Sequence, residues 1–191
     1  MHCDELEVCL LGISGFMPWV RTIWLVVSDI GQVPKYAYKH PKLKVVLHKD
    51  IIPEKHLPVF NSSALELFTH RIPGLTEHFV YFNDDLLTLR PSPPEIWFSE
   101  EDGLPRNGFI TRGLFEPRPA YVWSFVNALD AAASAATVEP PREEGRYFTV
   151  QHYSKAMLKS TCEELWRKIP EMLEHSVTPF RSRKSINGYV F

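Results

Sequence analysis

His78-Phe79-Val80-Tyr81-Phe82-Asn83-Asp84-Asp85 is the stretch on which the fold turns. His78 to Phe82 is short, aromatic and apolar, so it reads as a buried strand whose carboxyl end is marked by the polar residues that follow. The same texture occurs twice upstream. Thr22-Ile23-Trp24-Leu25-Val26-Val27 gives way to a loop over Asp29 to Pro34, and Leu43-Lys44-Val45-Val46-Leu47 ends at His48-Lys49-Asp50. Ahead of the third strand, Asn61-Ser62-Ser63 offers a helix cap, and the pattern predicts a helix over residues 63–71 with Glu66 opposite its apolar positions. Pro73-Gly74 closes it. Strand, helix and strand in this rhythm predict an α/β fold, with a mostly parallel sheet, right-handed crossovers and flanking helices. Ligands of such sheets bind outside the carboxyl ends of the strands, where Asn83-Asp84-Asp85 lies.

Working outward, residues 4–15 read as a helix with Leu6, Cys9, Leu10 and Ile13 at helical spacing. Pro91 to Pro119 is rich in proline and glycine and is expected to loop over the sheet. Tyr121 to Ala136 reads as a helix, 138–146 as a linker, and Tyr153 to Leu173 as a final helix bent at Pro170. Residues 1–137 then form a core, and 147–191 a helical segment ending in the basic tail Phe180-Arg181-Ser182-Arg183-Lys184.

The 191 residues suffice for one domain with a real core, and 45% hydrophobic with 23% charged residues is the composition of a globular protein. A net charge of -2 supplies no footprint for nucleic acid or an anionic membrane. Cys3, Cys9 and Cys162 lack metal-ligand spacing, and their odd number points away from a disulfide framework towards a reducing compartment. Val8 to Val20 is apolar, but acidic residues precede it and Gly12, Gly15 and Pro18 interrupt it. It also falls short of the roughly 20 residues a bilayer requires. The expectation is a cytoplasmic chain with no membrane span.

Adjacent carboxylates at a strand end cost free energy unless paired or bound to a cation. Asp84 and Asp85 therefore read either as a metal ligand and general base or as loop caps, and neighbouring strand residues face opposite ways. Taken singly, Glu66 reads as a solvated helix residue, His152 as a cap or packing group, and Arg181 as part of an exposed tail.

Together these residues fall into a known order. Pro18-Trp19-Val20-Arg21, His48-Lys49-Asp50-Ile51-Ile52-Pro53 and Leu57-Pro58-Val59-Phe60-Asn61-Ser62 are followed by Glu66 and His70-Arg71-Ile72-Pro73-Gly74-Leu75. With Tyr81-Phe82-Asn83-Asp84-Asp85, the series over residues 4–90 resembles the second conserved region of the Stealth family. Residues His152 to Ile186, with Phe180-Arg181-Ser182, resemble its third region more weakly. That family includes capsular polysaccharide phosphotransferases and the lysosomal-enzyme N-acetylglucosamine-1-phosphotransferase.

The resemblance implies a Rossmann-like nucleotide-sugar-binding sheet. It also implies transfer of a hexose 1-phosphate, such as N-acetylglucosamine 1-phosphate, from a UDP-sugar to a hydroxyl of a glycan acceptor. By the same resemblance Glu66, Asp85, His152 and Arg181 are the catalytic set. Asn83, Asp84, His70, Arg71, Asn61 and Ser62 are expected to bind substrate, and Asp85 and Glu66 to hold Mg2+. The family's first region does not appear in these residues and is expected from a second chain. Leu10-Leu11-Gly12 stands where many members carry Leu-Arg-Ser. Two other readings stay open: a catalytically inactive nucleotide-sugar or glycan-binding homologue, and a metal-dependent glycosyltransferase.

Overall fold

The computed structural model describes residues 5–113, 120–139, 146–150 and 153–188. It is a mixed α/β structure. Helix α1, Glu5–Phe16, buries Cys9, Leu10, Gly12 and Ile13, the face its spacing predicts. Gly12 is needed for close approach, because a Cβ there would lie 2.6 Å from the carbonyl oxygen of Thr88.

Strands β1, Ile23–Val27, and β2, Leu43–Leu47, pair in parallel with Ile23 opposite Leu43 and Val27 opposite Leu47. Their connection is not an α-helix. It holds two 3-10 turns, Ile30–Gln32 and Ala37–Lys39, and buries Val33 and Ala37 against the sheet. Strand alternation explains how both faces are covered. Leu25, Val27, Leu43, Val45 and Leu47 meet Leu10 of α1 on one side, whereas Trp24, Val26 and Val46 meet Ile51 of the short helix α2 (His48–Ile51), Ile52, Phe68 and Ile72 on the other.

The third strand, β3 (His78–Tyr81), forms where the sequence predicts it but finds a different partner. It pairs antiparallel with β6, Lys155–Leu158, placing His78 opposite Leu158 and Tyr81 opposite Lys155. A further antiparallel ladder joins β4, Phe109–Gly113, to β5, Arg146–Val150. Among the described residues the strands thus make three two-stranded sheets, of which one is parallel, rather than one mostly parallel sheet.

The predicted helix over 153–173 also divides. It is β6, then α5 (Lys159–Lys168), then α6 (Pro170–Ser176). Lys155, Ala156, Met157 and Leu158 are all good helix formers, but three of them are buried against β3 and the ladder overrides propensity. Asn107 extends the ladder on its far side: its side-chain amide donates to the carbonyl of Ala156 at 2.8 Å and its oxygen accepts from the same residue's N–H at 3.3 Å. Pro170 opens α6, as its missing N–H allows at a first helical turn.

Helix α4, Ala120–Ala136, packs with α5, α6 and the tail. Leu67, Ala128, Ala131, Leu165, Leu173 and Ile186 share one cluster, so the last third of the chain is built onto the segment that contains Glu66. The linker read at 138–146 lies for the most part outside the described residues. Among the described residues no helix is long and apolar enough to cross a membrane, and Cys9 and Cys162 are free and buried.

Phe68 is fully buried and its ring meets those of Trp166 in α5 and His56, joining the two parts of the core. Phe68→Ala is expected to destabilise the chain by about 3–5 kcal/mol in one cooperative urea transition. A loss below about 1 kcal/mol would show that the two parts are not packed through this ring.

Candidate active site

Helix α3 runs only from Ser62 to Glu66, after which the backbone tightens into a 3-10 turn at Thr69–Arg71. Asn61 caps it as the sequence predicts, its side-chain oxygen accepting from the N–H of Ser63 at 3.2 Å. Glu66 is the last residue of α3. Against a helix over 63–71 Glu66 stands opposite the apolar face, but at the last turn of α3 it is 4% exposed.

The tail packs directly onto this helix. Phe60 N–H donates to Pro179 at 2.8 Å, and Asn61 donates through its amide to Thr178 at 3.3 Å and Ser185 at 3.2 Å. Arg181 Nη2 donates to Ser62 Oγ at 2.7 Å. Gly188 N–H donates to Glu66 Oε2 at 3.2 Å. A Cβ on Gly188 would stand 2.8 Å from Cβ of Glu66, so the tail comes this close only because the residue is glycine. In the basic tail Arg181, Arg183 and Lys184 are exposed, as the sequence reading expects, and the chain just beyond them, Ser185 to Asn187, is buried.

From the other side, Tyr81 of β3 donates its hydroxyl to Glu66 Oε1 at 3.3 Å. Glu66 is therefore held by β3 and by the tail. Burial pushes its carboxyl up to about 8, because the ionised form loses water, while the bonds from Gly188 and Tyr81 and the charge of Arg181 pull the other way.

Asp84 and Asp85 follow β3 and are exposed, with Leu86 N–H turned back onto the Asn83 carbonyl at 3.2 Å. Their charges reach Cys9 in α1, whose thiol is pushed up to about 11, chiefly by burial and then by these two carboxylates. They lie three and four residues beyond Tyr81, the residue of β3 that bonds Glu66.

His70 and Arg71 point elsewhere. His70 is buried beside Trp166 with Nδ1 unpartnered, and burial followed by the Arg71 charge draws its imidazole down to about 4. The Arg71 guanidinium lies 5.0 Å from the ring of Phe68 and 5.2 Å from that of Trp166. His152 lies outside the described residues.

Three contributors escaped the sequence reading of the site. Tyr81 was visible in the decisive stretch as a strand residue only. Gly188 carries no local signal beyond being a glycine. Lys155 stands opposite Tyr81, fully buried, with its ammonium 2.9 Å from the centroid of Tyr153. Burial lowers its pKa to about 7.

Could the set hold a divalent cation? Among the described residues no three His, Cys, Asp or Glu side chains gather as a ligand cluster. Magnesium uses one or two carboxylates plus substrate phosphates, so the exposed Asp85 fits such a role. Glu66 fits it less well, since both oxygens already accept hydrogen bonds and burial favours its protonated form.

The Glu66 shift has a sign. The folded carboxyl keeps its proton up to about 8, whereas the unfolded one releases it near 4.5, so its contribution to stability is full below about 4.5 and is lost as pH rises through about 8. Thermal melts should therefore drop between pH 5 and pH 9, and Glu66→Gln should flatten that drop. Parallel profiles for the two proteins would mean that Glu66 is not buried as described.

Comparison with known proteins agrees with this arrangement of motifs. The profile described as Stealth protein CR2, conserved region 2, matches residues 1–105. The chain is 44% identical over 103 residues to the exopolysaccharide phosphotransferase cps2G of Lactiplantibacillus plantarum, covering 53% of this chain and 30% of that protein. It is 40% identical over 170 residues to the capsular polysaccharide phosphotransferase LcbA of Aeromonas hydrophila, covering 86% and 44%. With the receptor polysaccharide phosphotransferase WefC of Streptococcus gordonii the identity is 32% over 206 residues, covering 94% and 61%. The chain thus spans between 30% and 61% of the length of these relatives. On the match of the second conserved region, with its motifs in order from Pro18 to Asp85, the chain belongs to the Stealth family.

Proposed function

We propose that this chain carries the acceptor-activating and phosphate-binding part of a sugar-1-phosphate transferase. A hexose 1-phosphate, such as N-acetylglucosamine 1-phosphate, moves from a UDP-sugar to a hydroxyl of a glycan. The observation that carries the reading is the docking of the tail. It brings Arg181 onto Ser62 and Gly188 onto Glu66, joining sequence-distant segments that the family resemblance assigns to one site. The names of the relatives, all polysaccharide phosphotransferases, support the same class.

The acceptor oxygen attacks the β-phosphorus, its bond to the bridging oxygen breaks, and UMP leaves. The hydroxyl proton goes to a base, Asp85 or His152. Arg181, exposed and anchored at one nitrogen by Ser62, offers its remaining N–H groups to the phosphoryl oxygens. Magnesium, when bound, supplies charge neutralisation at the diphosphate, and Asp85 is the residue here that would hold it. Glu66 acts as a positioning residue that fixes the tail. Asn83 and Asp84 contact the donor in this reading, while Asn61, Ser62, His70 and Arg71 hold the segments that present them.

The parallel pair β1–β2, covered on both faces, supports its membership of a Rossmann-like nucleotide-sugar sheet. The shared core of Leu67, Leu165 and Ile186 supports residues 1–137 and 147–191 as parts of one site. The first conserved region, carried by a second chain or by the remaining length that the relatives possess, completes the donor side.

Incubation with UDP-N-acetylglucosamine, magnesium and a capsular oligosaccharide should release UMP. Arg181→Ala should cut that rate roughly 100-fold or more, with Arg181→Lys recovering part of it. Release of UDP would indicate glycosyl transfer instead, and release of neither nucleotide from the folded chain would make it a binding module.

A further inference from the structure

The backbone bond between Phe60 and Pro179 and the side-chain bond between Arg181 and Ser62 clamp two segments side by side. One consequence is unexpected for a packed protein. Phe60 and Phe180 lie ring to ring, with centroids 5.4 Å apart and planes 15° from parallel, yet each is 68% exposed. Stacking on one another recovers only a small part of what burial of either ring would contribute, so packing does not account for their position.

A cavity of about 250 Å³ lies beside the pair, walled by Leu57, Pro58, Phe60, Pro179 and Phe180. Lys55 and His56 supply a polar rim, and Glu174 accepts from both, 2.9 Å from Lys55 Nζ and 2.7 Å from His56 Nε2. Arg181 follows Phe180 directly, and Ser62 stands two residues after Phe60, so the bond between Arg181 and Ser62 ties the aromatic pair to the proposed phosphate site.

We infer that Phe60 and Phe180 form a platform for one pyranose ring of the acceptor glycan. A pyranose has an apolar face of C–H groups and an equator of hydroxyls. The first suits stacking on phenyl rings, and the second suits the Lys55 and His56 rim. Size agrees with that occupant. The depression measures about 250 Å³, below the roughly 300–1,000 Å³ of pockets for drug-sized ligands, and a single sugar unit matches it in scale. The inference rests on the transfer reading in one respect: that reading makes the sugar the acceptor's.

The test uses saturation-transfer NMR on the whole chain with the methyl β-glycosides of glucose, galactose and N-acetylglucosamine, and separately with UMP. Saturation should reach the C–H protons of at least one glycoside. Phe60→Ala and Phe180→Ala should each weaken that contact about tenfold, Phe60→Tyr should retain it, and UMP contact should be unchanged throughout. Exposure of both rings makes loss of folding in these variants an unexpected outcome, and circular dichroism checks it.

No contact from any glycoside, or contact indifferent to both alanine variants, overturns the platform. Loss of UMP contact in Phe60→Ala gives the rings to the donor base and also overturns it. So does a dimer in sedimentation that Phe60→Ala returns to monomer. The two readings fail separately: UMP release without glycoside contact removes the platform alone, while glycoside contact at the rings without UMP release removes the transfer reading alone.

Discussion

The carboxyl of Glu66 joins β3 to a tail that lies 122 residues away in sequence. One oxygen takes the Tyr81 hydroxyl from β3, and the other takes the Gly188 N–H from the tail. A carboxyl sealed in this way costs free energy when ionised, and burial raises its pKa to about 8. The cost persists because the tail has a core residue of its own beside it, Ile186, packed with Leu67 and Leu173. Once the tail is fixed at Glu66 and Asn61, the place of Arg181 follows, and so does the pairing of Phe60 with Phe180.

That arrangement separates two electrostatic environments on one strand. Glu66 meets β3 at Tyr81 in a closed space, where the protonated form is favoured. Asp84 and Asp85 follow the end of the same strand and are exposed to solvent. Phosphoryl transfer depends on positioning and on charge held where the transition state needs it. In the proposed division of labour the open carboxylate and Arg181 face the reacting groups, and the buried one keeps Arg181 in place.

Local patterns in the sequence carried much of this. β2 forms over the stretch that its apolar run marks, α1 buries the face that its spacing indicates, and Asn61 caps α3 as a residue of its type should. Pairing was not legible in the same way. β6 is written in residues that favour helix, and only the burial of Lys155, Ala156 and Met157 against β3 makes it a strand. Glu66 was misplaced for a related reason: the face of α3 that it occupies is covered by Tyr81 of β3 and by the tail at Gly188, neither of which the helix pattern shows. The exposure of Arg181, Arg183 and Lys184 was legible from their charge, but the burial of the residues just beyond them was not. Tertiary contacts decided the points that were not legible, and no local pattern records them.

The joint at Glu66 can be observed directly. In a protein labelled with carbon-13 at glutamate carboxyls, the Glu66 signal can be assigned by its disappearance in Glu66→Gln and followed through a pH titration. A midpoint near 8 is the expected result for a carboxyl closed off between β3 and the tail. A midpoint near 4.5, the ordinary value for a solvated glutamate, would contradict the account, because the tail would then not be docked on α3 in solution.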